Sequence, residues 1–130
     1  MEFTQELGIR STGEADGTSR LEVDLAPIHM SRAGRVHGGF LFTLLDTAMG
    51  RAVISALPEG RGCATVECKI NYFRPVQEGA LVATGKMKNI TRNTAYAEGS
   101  ITDPKGKLVA RASGTFFLTE TMVQAERERV

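Results

Sequence analysis

The sequence predicts an α+β domain in which one long helix lies against an antiparallel sheet. Residues 39–57 form the longest apolar segment, with no proline before Pro58. That is longer than a strand needs, so the segment reads as helix. Residues 20–25, 64–72, 81–88, 94–102 and 108–118 alternate polar and apolar, the period of a half-buried strand. Short turns join most of these strands as hairpins, and the helix is the only element long enough to cover the sheet they form.

Taken in order, residues 3–18 are glycine-rich and mixed, an irregular start with one short strand ending at Asp16-Gly17. Arg20 to Leu25 alternates strictly until Pro27 ends it, and His29 to Val36 is a loop leading to the helix. The helix is apolar round most of its circumference, as a buried helix is. Its polar remainder, Thr43, Asp46, Thr47 and Gly50, falls on one narrow stripe. Pro58 to Gly62 is a turn. The strand after it turns Ala64, Val66, Cys68, Ile70 and Tyr72 to one face, and Pro75 closes it. Leu81 to Lys88 and Thr94 to Thr102 flank a turn around Arg92 and Asn93. Asp103-Pro104-Lys105-Gly106 has proline at the second and glycine at the fourth position of a type I turn. Leu108 to Leu118 is the last strand, with Phe116 and Leu118 on its apolar face. The charged tail, 120–130, is a frayed end or a short helix.

A chain of 130 residues with no repeat or linker is expected to be one domain, 1–130. It buries roughly two-thirds of its unfolded surface, enough for a core. The net charge of +1 sets up no field for nucleic acid or an anionic membrane, so neither is an expected partner. Strict alternation sends Cys63 and Cys68 to opposite strand faces, where they cannot bridge each other. Two reduced thiols and no signal-peptide pattern point to the cytoplasm. Asp46 and Arg51 in the middle of the apolar segment argue for a core helix over a membrane span.

Function is sought where the sequence breaks its own rule, and an ionised carboxylate on a buried helix is such a break. Asp46 follows His37 by nine positions, and His37-Gly38-Gly39 opens the helix. The first amides of a helix lack internal partners and sit at the positive end of its dipole. Paired glycines let a ligand approach that backbone closely. The plain alternatives are a tight loop-to-helix turn for the glycines and, for Asp46, capping a neighbouring turn or pairing with Arg51 or another arginine.

Gly34-x-x-His37-Gly38-Gly39, followed by Asp46 in a small-residue helix and then four strands, resembles the signature of hotdog-fold acyl-CoA thioesterases of the phenylacetate-pathway (PaaI) type. The resemblance spans about Leu21 to Leu118. It implies a curled antiparallel sheet of five to six strands wrapped round the one central helix. It also implies hydrolysis of a small aryl- or medium-chain acyl-CoA to free acid and CoA, with no cofactor, since coenzyme A is part of the substrate. By resemblance, the Gly38 N–H polarises the thioester carbonyl with Gly39 beside it, and Asp46 is the nucleophile or general base. His37 shapes the loop and helps bind the thioester region. Thr65 matches a hydroxyl that bonds near the catalytic acid or orients water. Arg74, Arg92 and Asn93 fall where nucleotide and pantetheine contacts are expected. Six residues before His37 the family often has Asn, whereas this chain has Ser31, a shorter group with one donor. No second metal ligand stands at suitable spacing from His37, so no metal is expected.

Gly38 and Asp46 are eight residues apart on one helix, about 12 Å along its axis. They cannot both touch one carbonyl. Either one is not catalytic, or they come from two protomers, and a two-fold dimer meets that requirement twice. The resemblance implies such a dimer, paired further into a homotetramer, with active sites at the dimer interface. The alternative is a hotdog domain that binds acyl-CoA without hydrolysing it, which Ser31 permits and Asp46 speaks against.

Overall fold

The structure, a computed structural model, describes residues 2–120. The charged tail from residue 121 on lies outside the described residues. A short helix α1 (Phe3–Glu6) is followed by strands β1 (Arg10–Ala15) and β2 (Thr18–Asp24). A 3-10 turn (Pro27–His29), the long helix α2 (Gly38–Ser55) and strands β3 (Gly62–Tyr72), β4 (Ala80–Ile90), β5 (Thr94–Thr102) and β6 (Leu108–Thr119) complete the order. The six strands form one antiparallel sheet in the order β1-β2-β4-β5-β6-β3. This is the expected α+β architecture, at the upper end of the expected strand count.

The β1–β2 hairpin turns on Asp16 (φ 51°) and Gly17 (φ 85°), two residues in the left-handed region that a two-residue hairpin loop uses. The irregular start expected from the sequence instead contains α1. Glu2 caps that helix, its carboxylate accepting from the Gln5 N–H at 3.0 Å and the Thr4 N–H at 3.2 Å. A four-residue helix has no apolar period to read, so only the cap could have marked it.

Helix α2 spans 18 residues, about 27 Å. Leu44, Leu45, Ala48, Met49, Ala52 and Val53 on it are fully buried against the sheet, each large side chain contributing about 1.5–3 kcal/mol of burial. Phe42 and Ile54 stay partly exposed. They lie four residues from Asp46 and Gly50, on the open face the polar stripe defines.

The close seating of α2 depends on Gly85 in β4. A Cβ there would stand 2.3 Å from the Ala48 carbonyl oxygen, which also accepts from the Ser19 hydroxyl at 2.5 Å. Gly85 pairs with Gly99 in β5, where a Cβ would meet Leu45 at 3.1 Å and Met49 at 3.2 Å. Because the obstacle at Gly85 is backbone, Gly85→Ala must push the helix off the sheet. The expected loss is about 3 kcal/mol of unfolding free energy, read from a denaturant titration.

Strand β3 corrects one expectation from the sequence. Strict alternation puts Ala64 and Val66 on the same face as Cys68, and Thr65 opposite. The β3–β6 ladder instead shifts register between Thr65 and Glu67, a bulge at Val66. Ala64 therefore stands beside exposed Phe117, and Thr65 beside buried Phe116. Beyond the bulge, Cys68, Ile70 and Tyr72 stand beside Gly114, Ala112 and Ala110, all buried on the helix side. An extra residue reverses strand parity. It also places Cys63, beside buried Leu118, on the same face as Cys68 rather than opposite; no disulfide links them.

Candidate active site

The loop before α2 is built to hold the first turn of the helix. Buried His29 accepts from the Ala26 N–H at Nδ1 and donates from Nε2 to the Leu7 carbonyl. Its ring stacks on Phe40 with centroids 4.2 Å apart. The His37 N–H donates to the His29 carbonyl and the Val36 N–H to that of Val76. Ser31 closes the loop from within, its hydroxyl and its N–H both donating to the Arg35 carbonyl, at 2.9 and 2.7 Å. Its one donor is thus engaged inside the loop.

His37 is the N-cap of α2. Its Nδ1 accepts from the Gly39 N–H at 2.8 Å, so the neutral ring carries its proton on Nε2. A Cβ on Gly39 would lie 2.9 Å from that Nδ1, which explains the second glycine: it leaves room for the capping ring. The Gly38 carbonyl accepts from the Tyr72 hydroxyl at 2.8 Å. Among the described residues, nothing accepts from the Gly38 N–H, the first amide of the helix.

Asp46 is half-buried on the open face of α2. Its Oδ1 accepts from the Thr65 hydroxyl at 2.7 Å, the contact the β3 bulge makes possible. Arg51, a partner the sequence allowed for it, instead pairs with Glu14 at 3.4 Å. Asp46 and Thr65 border an open groove of about 880 Å³ whose walls include Gly50, Ile54, Cys63 and Phe116. Residues of the N-terminal segment, among them Glu2 and Gln5, line its other side. Burial, together with the carboxylates of Asp46 and Glu67, pushes the Cys68 thiol up to about 11. At neutral pH it is a thiol and a poor nucleophile.

The expected site residues fall into two groups. Along the sheet, Thr65 aligns with Phe116 and Ala95, whereas Tyr72 aligns with Ala110 and Ile101. The two positions are roughly 20 Å apart along β3. His37, Gly38, Gly39 and Arg74 belong to the Tyr72 end, where the Arg74 Nε donates to the Leu108 carbonyl at 2.9 Å. Asp46 and Thr65 belong to the other, as do Arg92 and Asn93, whose turn accepts the Leu118 N–H at the Asn93 carbonyl. Within one chain the structure does not bring Gly38 and Asp46 together. Sequence reasoning named neither Tyr72 nor Cys68 as part of the site. The signal for Tyr72 was its place on the helix-facing side of the strand, but contact with Gly38 needs the crossing of β3 and α2.

Among the described residues, no helix is long and apolar enough to cross a membrane. The profile of the Thioesterase superfamily matches residues 33–110. A Halobacterium salinarum protein with a provisional esterase name is 35% identical over 103 residues, covering 75% of this chain and 68% of that one. A variant of the phenylacetic acid degradation protein PaaI from Thermus thermophilus is 31% identical with a TM-score of 0.81, over 88% of this chain and 96% of that one. A hypothetical thioesterase from Streptococcus pneumoniae, solved with coenzyme A, is 28% identical with a TM-score of 0.81, over 87% of each chain. With its long helix, six-stranded sheet and matched profile, this chain belongs to the Thioesterase superfamily as a hotdog-fold hydrolase of the PaaI type.

Proposed function

We propose that this chain hydrolyses the thioester of a small aryl- or medium-chain acyl-CoA, releasing the free acid and CoA. The observation that carries the reading is the Asp46 carboxylate, which borders the groove and is held at Oδ1 by Thr65 while Oδ2 has no partner among the described residues. A fixed carboxylate beside an open groove suits attack on an acyl carbon or deprotonation of a water. In the first route Asp46 displaces CoA as its thiolate and forms a mixed anhydride that water then opens. In the second, Asp46 takes the proton of a water that attacks the carbon directly. Either route develops negative charge on the carbonyl oxygen. The unpartnered Gly38 N–H, at the positive end of the α2 dipole, is suited to receive it.

The roughly 12 Å between Gly38 and Asp46 supports placing these roles on different protomers if both residues are catalytic. Strand β3 supports that reading. It is 11 residues long, lies at the end of the sheet and, among the described residues, has only β6 as a neighbour, an edge that invites pairing. Antiparallel pairing of β3 with its own copy about a two-fold axis sets the Tyr72 end of one chain against the Thr65 end of the other. The Gly38 amide and Arg74 of one protomer then share a site with Asp46, Thr65, Arg92 and Asn93 of its partner. Ser31 stays with the loop that carries His37. The exposed Val66 and Phe117 support a further pairing of dimers into a tetramer.

The experiment is thiol release from a panel of aryl- and acyl-CoA esters, followed with a thiol reagent. Turnover that depends on the acyl group is expected. A panel of esters bound but not cleaved would replace this reading with the non-catalytic acyl-CoA-binding domain.

A further inference from the structure

The Gly38–Gly39 peptide is held at both ends by side chains. Its carbonyl oxygen accepts from the Tyr72 hydroxyl at 2.8 Å, and its N–H donates to His37 Nδ1 at 2.8 Å. Two glycines in succession are the most pliable backbone a chain can offer. They stand where the helix's own ladder supplies no bond to the amides. An amide that stabilises an oxyanion must nevertheless keep its direction to within about 10–20°. The two side-chain bonds fix the plane of this peptide. The Tyr72 ring also lies against the Gly38 Cα, since a Cβ added there would sit 3.4 Å from both Cζ and Oη. What remains is the adjoining Gly38 N–H, a backbone donor left without a partner among the described residues.

We propose that Tyr72 is a positioning residue for thioester hydrolysis, its hydroxyl locking the Gly38–Gly39 peptide against His37 so that the Gly38 N–H points where the oxyanion forms. The role rests on the thioesterase reading above. Strand β3 holds the phenol in place through its pairing with β6, where Tyr72 stands beside Ala110. Burial raises the phenol's pKa above its ordinary value, with Cys68 adding to the effect, so the hydroxyl remains a donor through the neutral range. Substrate binding does not need this bond. Transition-state stabilisation does, because only then does the direction of the Gly38 N–H matter fully.

The test compares Tyr72→Phe with the wild-type chain, and with Tyr96→Phe as a control that loses an exposed hydroxyl elsewhere on the sheet. Tyr72→Phe is expected to lower kcat about tenfold with KM within about twofold of wild type. In protein labelled with 15N-glycine, exchange of the Gly39 amide is expected to accelerate about tenfold or more. Tyr96→Phe is expected to change none of these. A wild-type kcat in Tyr72→Phe overturns the proposal. So does a rise in KM alone, which would make the phenol a substrate contact. An unchanged Gly39 exchange rate with reduced kcat also overturns it, since the hydroxyl would then act on the chemistry directly. A wild-type chain that cleaves no thioester defeats the thioesterase reading instead, and the Gly39 exchange rate still decides whether Tyr72 locks the peptide.

Discussion

An Asp46→Ala variant is expected to lose at least about a hundredfold in thioester turnover while keeping its fold. A hundredfold is about 2.7 kcal/mol of transition-state stabilisation, well within what a nucleophile or general base supplies. The fold survives because Asp46 is half-buried and its carboxylate makes one hydrogen bond among the described residues, to Thr65. Losing it costs about 1 kcal/mol, and water can satisfy the exposed Thr65 hydroxyl. Asp46→Asn keeps the shape and removes the charge, so it is expected to be as inactive as the alanine variant. Thr65→Val, which removes only the donor to Oδ1, is expected to cost about tenfold in kcat. Steady-state kinetics on a cleaved CoA ester, with circular dichroism on each variant, check all three. Near-wild-type turnover in a folded Asp46→Ala protein would remove Asp46 from the mechanism.

The architecture was legible because its signals are long. An 18-residue apolar segment and strands of 9 to 12 residues leave unambiguous periods. The start of α2 was legible for a different reason: a histidine and two glycines cannot easily serve another purpose at the head of such a segment. The bulge at Val66 was not legible. It needs the partner strand to reveal which residue is extra, and the β3 sequence alternates perfectly without it. That one residue decides whether Thr65 faces Asp46 or solvent. The reading of Thr65 therefore rested on resemblance alone, while the alternation argued against it. Helix α1 was missed because four residues carry no period. Tyr72 was missed because its bond to Gly38 links positions 34 residues apart, a contact that only the tertiary crossing of β3 and α2 creates.

The largest effect expected of any combination comes from mixing two inactive variants, and it bears on the shared site. One carries Asp46→Ala. The other carries Gly38→Val, whose Cβ alone would touch the Tyr72 ring at 3.4 Å and whose branches must displace it, disturbing the Gly38 amide. Each homodimer then has two damaged sites. In a mixed dimer one interface site receives both lesions and the other receives neither. Random subunit exchange makes about half the dimers mixed, each with one intact site of two. Activity is therefore expected to recover to roughly a quarter of wild type from two nearly inactive parents. Circular dichroism and sedimentation first establish that both variants are folded and dimeric, and mixed dimers are then isolated with two different tags. Recovered thioester turnover in those isolated mixed dimers is the result expected if Gly38 of one protomer serves Asp46 of the other. Mixed dimers that remain as inactive as their parents would contradict it, and the oxyanion partner of Asp46 would then have to lie within its own chain.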